Sequence, residues 1–219
     1  MEPFVFTKEN TFCISLESNP KRWERMQNRF KNENLEVTRW IASTPDTLTD
    51  KFHSYLTPGE CACAQSHINI WRYIIKHNLS YAFILEDDAC FDKDWRNKVA
   101  SFQIDDPLWD LLLLNAFDPI EPSFMWVDIQ EQYLLGGYIL SIRGAVRLLQ
   151  WYEGNFASAD WMTSRLQQNR HSYSYFPWII IQEGFDTTLG KEKNNRDDDN
   201  KKIIRCLGEI GYDISNYGI

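Results

Sequence analysis

The sequence predicts an α/β protein with a mainly parallel sheet flanked by helices. Three observations point there. Strand-like apolar runs alternate with segments of helical periodicity along the chain. The run YAFILE, residues 81–86, reads as a buried strand. No internal repeat interrupts the alternation. Such an order builds a sheet whose neighbouring parallel strands are joined by right-handed crossovers. In these sheets ligands sit beyond the carboxyl ends of the strands.

The elements follow in order. TFCISL (11–16) reads as the first strand. Asn19-Pro20 then gives an N-cap with proline in the first helical turn, and KRWERMQNRF continues as a helix. VTRWIA (37–42) is a second strand, followed by the turn-rich loop ASTPDTLTD. Thr57-Pro58-Gly59-Glu60 has capping-box spacing and opens a long helix. On it Cys63, Ala64, His67, Ile70, Trp71, Ile74 and Ile75 recur at three- and four-residue intervals, so they share a face. His77-Asn78 ends it before YAFILE. Residues 92–104 form a helix, 109–116 a buried strand, and 133–141 a strand with Gly136-Gly137 at its middle. Ser141 and Ser158 each cap a further helix. SYSYFPWIIIQ (172–182) is strand-like, with Pro177 demoting part of it to an edge or bend. The tract 191–202 is charged and exposed, and IIRCLGEIGYDI closes the chain as a short helix.

Composition sets limits on function. With 219 residues, 43% hydrophobic and 15% aromatic, the chain is globular rather than disordered. At roughly 150 residues per domain, one domain is favoured. The net charge of −8 argues against a nucleic-acid partner. No apolar run approaches the roughly 20 residues that cross a bilayer. The N-terminus lacks the apolar core of a signal peptide. The five cysteines are odd in number and form no CxxC pair, which suits reduced thiols and a cytoplasmic protein. Cys61 and Cys63 are too close for a usual zinc pair and read as packing residues.

One stretch asks for chemistry. FILEDDACF drives an apolar strand straight into Glu86, Asp87 and Asp88. Adjacent carboxylates repel and resist losing water, so they lie in water or meet a cation. Glu86 and Asp88 are two apart and point the same way in an extended segment. Asp87 points opposite, where it holds the loop through backbone hydrogen bonds. Oxygen ligands of this kind select Mn2+ or Mg2+, which usually completes its shell with water and substrate phosphate. Glu86 and Asp88 are therefore the candidate metal ligands, Asp88 first, and Asp87 is a second candidate, since strand twist can swap the faces. The expected ligand is a diphosphate.

These residues carry a resemblance. LTPGECACAQSHINIW and YAFILEDDACF are similar to the central signature of glycosyltransferase family 25, the lipopolysaccharide-type galactosyl- and glucosyltransferases and the collagen galactosyltransferases. The Arg-bearing helix after the first strand, GGYILSIRGAVRLL, Ser158-Ala159-Asp160-Trp161 and a strand ending in Gln182 fit the same pattern, over about residues 11–190. Relatives usually have a glycine in the loop after the second strand, where this chain has ASTPDTL.

The resemblance implies a GT-A-type nucleotide-sugar-binding fold over residues 1–190, with 191–219 a charged segment and helix packed on it. It implies a UDP-sugar donor, a divalent ion, and transfer of galactose or glucose with inversion to a glycan or hydroxylysine hydroxyl. Asp160 becomes the candidate general base; its alternative role is to complement a helix dipole. Arg22 and Arg25 become a pyrophosphate clamp, with a solvated helix face as the alternative. His67 orients the carboxylate loop or touches the donor, or else is a hydrogen-bonded core residue. Gly137 and Tyr138 face the sugar, or else pack in the strand. Gln182 contacts donor or acceptor, or else is a solvent-facing strand end. His171 is a third metal ligand or, the reading its neighbours favour, a plain surface histidine. Two other functions stay open: a non-catalytic nucleotide- or glycan-binding module, and a phosphoryl transferase. SLESNPKR lacks the glycines the latter usually has.

Overall fold

The computed structural model describes residues 3–183 and 194–219, with side chains in the last stretch from Lys201 onward. Its strands and helices, in chain order, are β1 (Thr11–Ser15), α1 (Pro20–Asn32), β2 (Thr38–Ile41), α2 (Pro58–Lys76), β3 (Tyr81–Glu86), β4 (Ala89–Phe91), α3 (Trp95–Ala100), β5 (Leu111–Leu113), β6 (Trp126–Asp128), β7 (Gly137–Ser141), α4 (Ile142–Tyr152), α5 (Ala159–Leu166), β8 (Ser172–Tyr175), β9 (Ile180–Gln182) and α6 (Asn194–Glu209).

A seven-stranded sheet runs in the order β2-β1-β3-β7-β5-β8-β6, and β4 pairs with β9 in a separate two-stranded ribbon. Five strands of the main sheet point one way, while β7 and β6 run against them. The expected α/β class, with a mainly parallel mixed sheet and flanking helices, is therefore what forms. Period-two alternation divides the core between the faces. Phe12, Ile14, Ile84, Tyr138 and Leu140 join α2, α4 and α5 on one side. Cys13, Phe83, Leu85 and Ile139 join α1 and α3 on the other. Both faces of β3 are thus covered, which is why YAFILE reads as a continuous apolar run. Phe83, Ile84 and Leu85 are fully buried. Each contributes about 1.5–3 kcal/mol relative to exposure, enough to anchor a strand that ends in carboxylates.

Three helix starts behave as their sequences dictate, Ser141 capping α4 among them, whereas Ser158 precedes α5 without a side-chain capping bond. Asn19 accepts from the backbone N–H of Arg22, with Pro20 opening α1. Thr57 and Glu60 close a reciprocal capping box at α2. α2 ends at Lys76, and Asn78 reverses the chain with φ of 50°.

Several elements are shorter than their apolar runs. The run 133–141 pairs only from Gly137, because Leu134 takes a left-handed φ of 75° and turns the chain. The run 172–182 splits into β8 and β9 around a cis Phe176–Pro177 bond. The helix at 92–104 is confined to α3, and β6 was not anticipated. The closing helix is longer than IIRCLGEIGYDI. The charged tract 191–202 lies in part outside the described residues; from Asn194 its backbone belongs to α6. Cys206, Leu207 and Tyr217 are buried in the same cluster as α2. No helix among the described residues is long and apolar enough to cross a membrane.

Candidate functional site

The carboxyl ends of β1 and β3 lie side by side, since Ile14 pairs with Glu86. The antiparallel β7 begins at the same edge, and Glu86 N–H donates to Gly136 O at 3.1 Å. Gly136 N–H in turn donates to the side chain of Asn115, just past β5. Four chain segments therefore meet at one rim, and the acidic turn 86–88 sits on it.

Glu86 and Asp88 converge. The Gln182 amide, from the end of β9, donates to Glu86 Oε2 at 2.9 Å and to Asp88 Oδ1 at 3.2 Å. β9 reaches this point because its residue Gln182 pairs with Ala89 of β4. The other Asp88 oxygen and Asp87 Oδ1 both bind the Arg22 guanidinium, at 3.1 and 2.6 Å. Asp87 is thus held by the Arg22 and Ser15 side chains rather than by backbone bonds alone. Burial pushes its carboxyl up from the usual range, and Arg22 and Ser15 pull it back. Burial works against the Arg22 charge, but Asp88 and Asp87 outweigh it and hold the guanidinium protonated.

Two cavities open at this rim. One, of about 200 Å³, lies between Ser15, Arg22, the 42–45 loop, the start of α2 and the turn 86–88. The second, of about 270 Å³, is lined by Glu60, His67, Leu134, Leu135, residues 158–160 and Gln182. Cys63 and Glu86 belong to both and form their shared wall. The first cavity is acidic below and walled by backbone and small side chains above. The second carries the Asp160 carboxylate.

The remaining candidates fall in different places. Asp160 lines the second cavity, and its Oδ1 also accepts from Trp161 N–H in the first turn of α5. His67 is buried between Tyr138 and Glu86, with Nδ1 2.8 Å from the Tyr138 hydroxyl and Nε2 3.3 Å from Glu86 Oε1. It orients the carboxylate. Arg22 is nearly buried, lines the first cavity and pairs with Asp87 and Asp88, so the solvated helix face is not what forms. Arg25 is half-exposed and pairs with Glu183, which it shares with Arg29, rather than with Asp87 or Asp88.

Two corrections come from β7. Tyr138 is wholly buried, accepts from Trp71 Nε1 at 3.0 Å, and offers no ring face to a sugar. A Cβ at Gly137 would collide with the Ile180 side chain, so its glycine serves strand packing, not close approach of a donor. His171 precedes β8 at the opposite edge of the sheet and pairs with Asp106 at 2.9 Å. It stays the plain histidine of the alternatives weighed.

Sequence reasoning passed over Cys63, which turns from the core toward Glu86, with its sulfur 3.9 Å from Oε1. It also passed over the second role of Glu60, whose cap position places it on the second cavity. The 3.6-residue stripe gave both the right face but not what faced them.

The donor set suits a hard divalent ion. Two carboxylate oxygens from Glu86 and Asp88 already converge on one donor, the Gln182 amide, where a cation would find both.

The acidic turn and two adjoining cavities at the carboxyl edge of an α/β sheet mark this rim as the candidate site. The sequence comparisons narrow the class. Residues 8–118 match the model of "Glycosyltransferase family 25 (LPS biosynthesis protein)". A Xenopus laevis procollagen galactosyltransferase 1-A is 31% identical over 176 residues, covering 67% of this chain and 29% of that protein. The lipooligosaccharide biosynthesis protein lic2B of Haemophilus influenzae is 35% identical over 206 residues, covering 79% of this chain and 76% of lic2B. The chain belongs to glycosyltransferase family 25. It spans less than a third of the length of the animal relatives it matches. A solved glycosyltransferase involved in glycosylation of the PBCV-1 major capsid aligns over 88% of this chain and 98% of its own, with a TM-score of 0.42 and 10% identity. That likeness fixes neither fold nor site.

Proposed function

We propose that the chain is a GT-A-type, metal-dependent inverting glycosyltransferase that moves galactose or glucose from a UDP-sugar to a hydroxyl of a glycan or of hydroxylysine. The observation that carries this is the shared wall. Glu86 closes the acidic cavity on one side and the Asp160 cavity on the other. A donor lying along the first cavity would present its sugar at the wall, and an acceptor would reach it from the second.

In this reading Glu86 and Asp88 hold Mn2+ or Mg2+, which when bound stabilises charge on the leaving diphosphate. Arg22 keeps Asp87 and Asp88 aimed at the rim. His67 does the same for Glu86 from below, and Gln182 from the side. Asp160 takes the proton of the acceptor hydroxyl as that oxygen bonds to the anomeric carbon. The bond from that carbon to the diphosphate oxygen breaks, and UDP leaves. One displacement from the opposite face inverts the centre. The apolar walls Leu134 and Leu135 reduce access of water to the reacting hydroxyl.

The lic2B likeness supports a saccharide acceptor, and the procollagen galactosyltransferase likeness supports galactose on hydroxylysine. The test is release of UDP from UDP-galactose and UDP-glucose by purified protein with manganese, followed by mass spectrometry of lipooligosaccharide and collagen-peptide acceptors. Release that stops in EDTA and a hexose mass added to one acceptor are expected. UDP that binds without release from either donor or transfer to any acceptor would leave a binding module instead.

A further inference from the structure

We infer that Cys63, His67 and Glu86 form a second cation site, selective for a borderline-soft divalent ion of the zinc class. Cys63 and His67 lie four apart on α2 and therefore present their side chains on one face. Glu86 meets them from the end of β3. The Cys63 sulfur is 3.9 Å and the His67 Nε2 3.3 Å from the same oxygen, Glu86 Oε1. All three ligand atoms lie within 4.8 Å of one another. In a tetrahedral zinc site with usual bond lengths, such atoms stand roughly 3.3–3.5 Å apart. The His67–Glu86 pair already stands at that spacing, and the sulfur must close in on both partners, which a rotation of the Cys63 side chain supplies.

The chemistry of the set separates it from the rim pair. Thiolate and imidazole select zinc or cobalt over magnesium or manganese, whereas Glu86 and Asp88 offer only oxygen. The two oxygens of Glu86 are divided accordingly. Oε1 faces Cys63 and His67, and Oε2 faces Gln182 and Asp88. The imidazole is also held from behind, as metal-binding histidines are. Its Nδ1 is 2.8 Å from the Tyr138 hydroxyl, which accepts from Trp71. Without an ion, that hydroxyl donates to Nδ1 and Nε2–H donates to Glu86. With an ion on Nε2, the ring proton sits on Nδ1 and Tyr138 accepts it. The cavities on either side of Cys63 and Glu86 give access and leave room for water in a fourth position. Burial first, then Glu86, Asp160, Asp88 and Glu60, push the Cys63 thiol well up, so its proton leaves only as an ion binds, while the same carboxylates attract a dication.

An ion here would pin Glu86 at Oε1, on the wall between the cavities. This consequence rests on the transfer reading above: zinc should inhibit manganese-supported transfer. The site itself does not depend on that reading, and a spectrum tests it without turnover.

The experiment titrates the full chain with Co2+ and records its absorption. A near-ultraviolet thiolate-to-cobalt band with intense tetrahedral visible bands, displaced by Zn2+, is expected. Cys63→Ser should abolish the thiolate band, while Cys61→Ser keeps it. Tyr138→Phe should keep the band but weaken Co2+ binding about 10–100-fold. A wild-type chain with no thiolate band, or a band that survives Cys63→Ser, would overturn the site. Failure of UDP release alongside an intact cobalt spectrum would instead strike the transfer reading alone.

Discussion

Asp88 and Asp92 stand at either end of β4, and both are buried acids paired with a buried base. Their surroundings differ completely. Asp88 shares Arg22 with Asp87, accepts from Gln182, and lines a cavity. Asp92 is sealed: Lys98 Nζ lies 3.1 Å away, the Tyr212 hydroxyl donates to it, and Lys98 also donates to Pro177 O. That second cluster ties the end of β4, α3 and the C-terminal segment together. Burial pulls the Lys98 ammonium below its usual range, with Asp92 pulling it back. A buried ion pair is therefore no mark of a site by itself. What marks the Asp88 cluster is an open volume beside oxygens of Glu86 and Asp88 whose shared partner, the Gln182 amide, stands where a cation would meet both.

The contrast can be broken by mutation, starting with the largest effect expected. Asp160→Asn should lower kcat for transfer by about 10²–10⁴-fold, as loss of a general base does. Calorimetry should find its UDP affinity unchanged. Unaltered transfer would return Asp160 to the helix-dipole role. Lys98→Ala should cost about 3–5 kcal/mol of stability in urea, because it strands the Asp92 charge. Its activity per folded molecule should stay at the wild-type level, and a selective loss of activity would show that the sealed cluster serves the site too. Asp88→Asn should cut UDP release by about 10²–10³-fold, the loss usual for an electrostatic stabiliser, with little change in urea midpoint. If Asp88→Asn unfolded the chain as Lys98→Ala does, the distinction between the clusters would fail. Thr57→Ala should remove one capping bond and cost about 1 kcal/mol, read by the same denaturation. It leaves Glu60 to report whether its place on the second cavity depends on the cap.

Sequence patterns made part of this legible. The alternation of apolar runs and helices, the cap at Asn19 and the box at Thr57 all concern neighbours along the chain, and local rules reach them. The acidic turn was legible because carboxylates directly after a buried strand are costly and so ask for a partner. What closed the site was less visible. Gln182 arrives through the pairing of β4 with β9, in which Ala89 meets Gln182 from far along the chain. Tyr138 and Gly137 sit in β7, and only the packing of α2 and Ile180 against that strand decides that neither meets a sugar. Cys63 lay on a stripe that reads as core. Its turn toward Glu86 follows from where α2 crosses the end of β3, which no periodicity encodes. Arg22 carried a related lesson: a basic residue after the first strand suggested phosphate, yet only the structure shows its pairing with Asp87 and Asp88.

The central claim is that the acidic rim grips a nucleotide's diphosphate through a divalent ion. Crystals soaked with UDP and manganese, measured at the manganese absorption edge, test it most directly. The account predicts an anomalous peak between Glu86 and Asp88, with the diphosphate against it and Gln182 displaced from its present bonds. A nucleotide bound elsewhere, with Glu86 and Asp88 still on Gln182 and no peak between them, would contradict it.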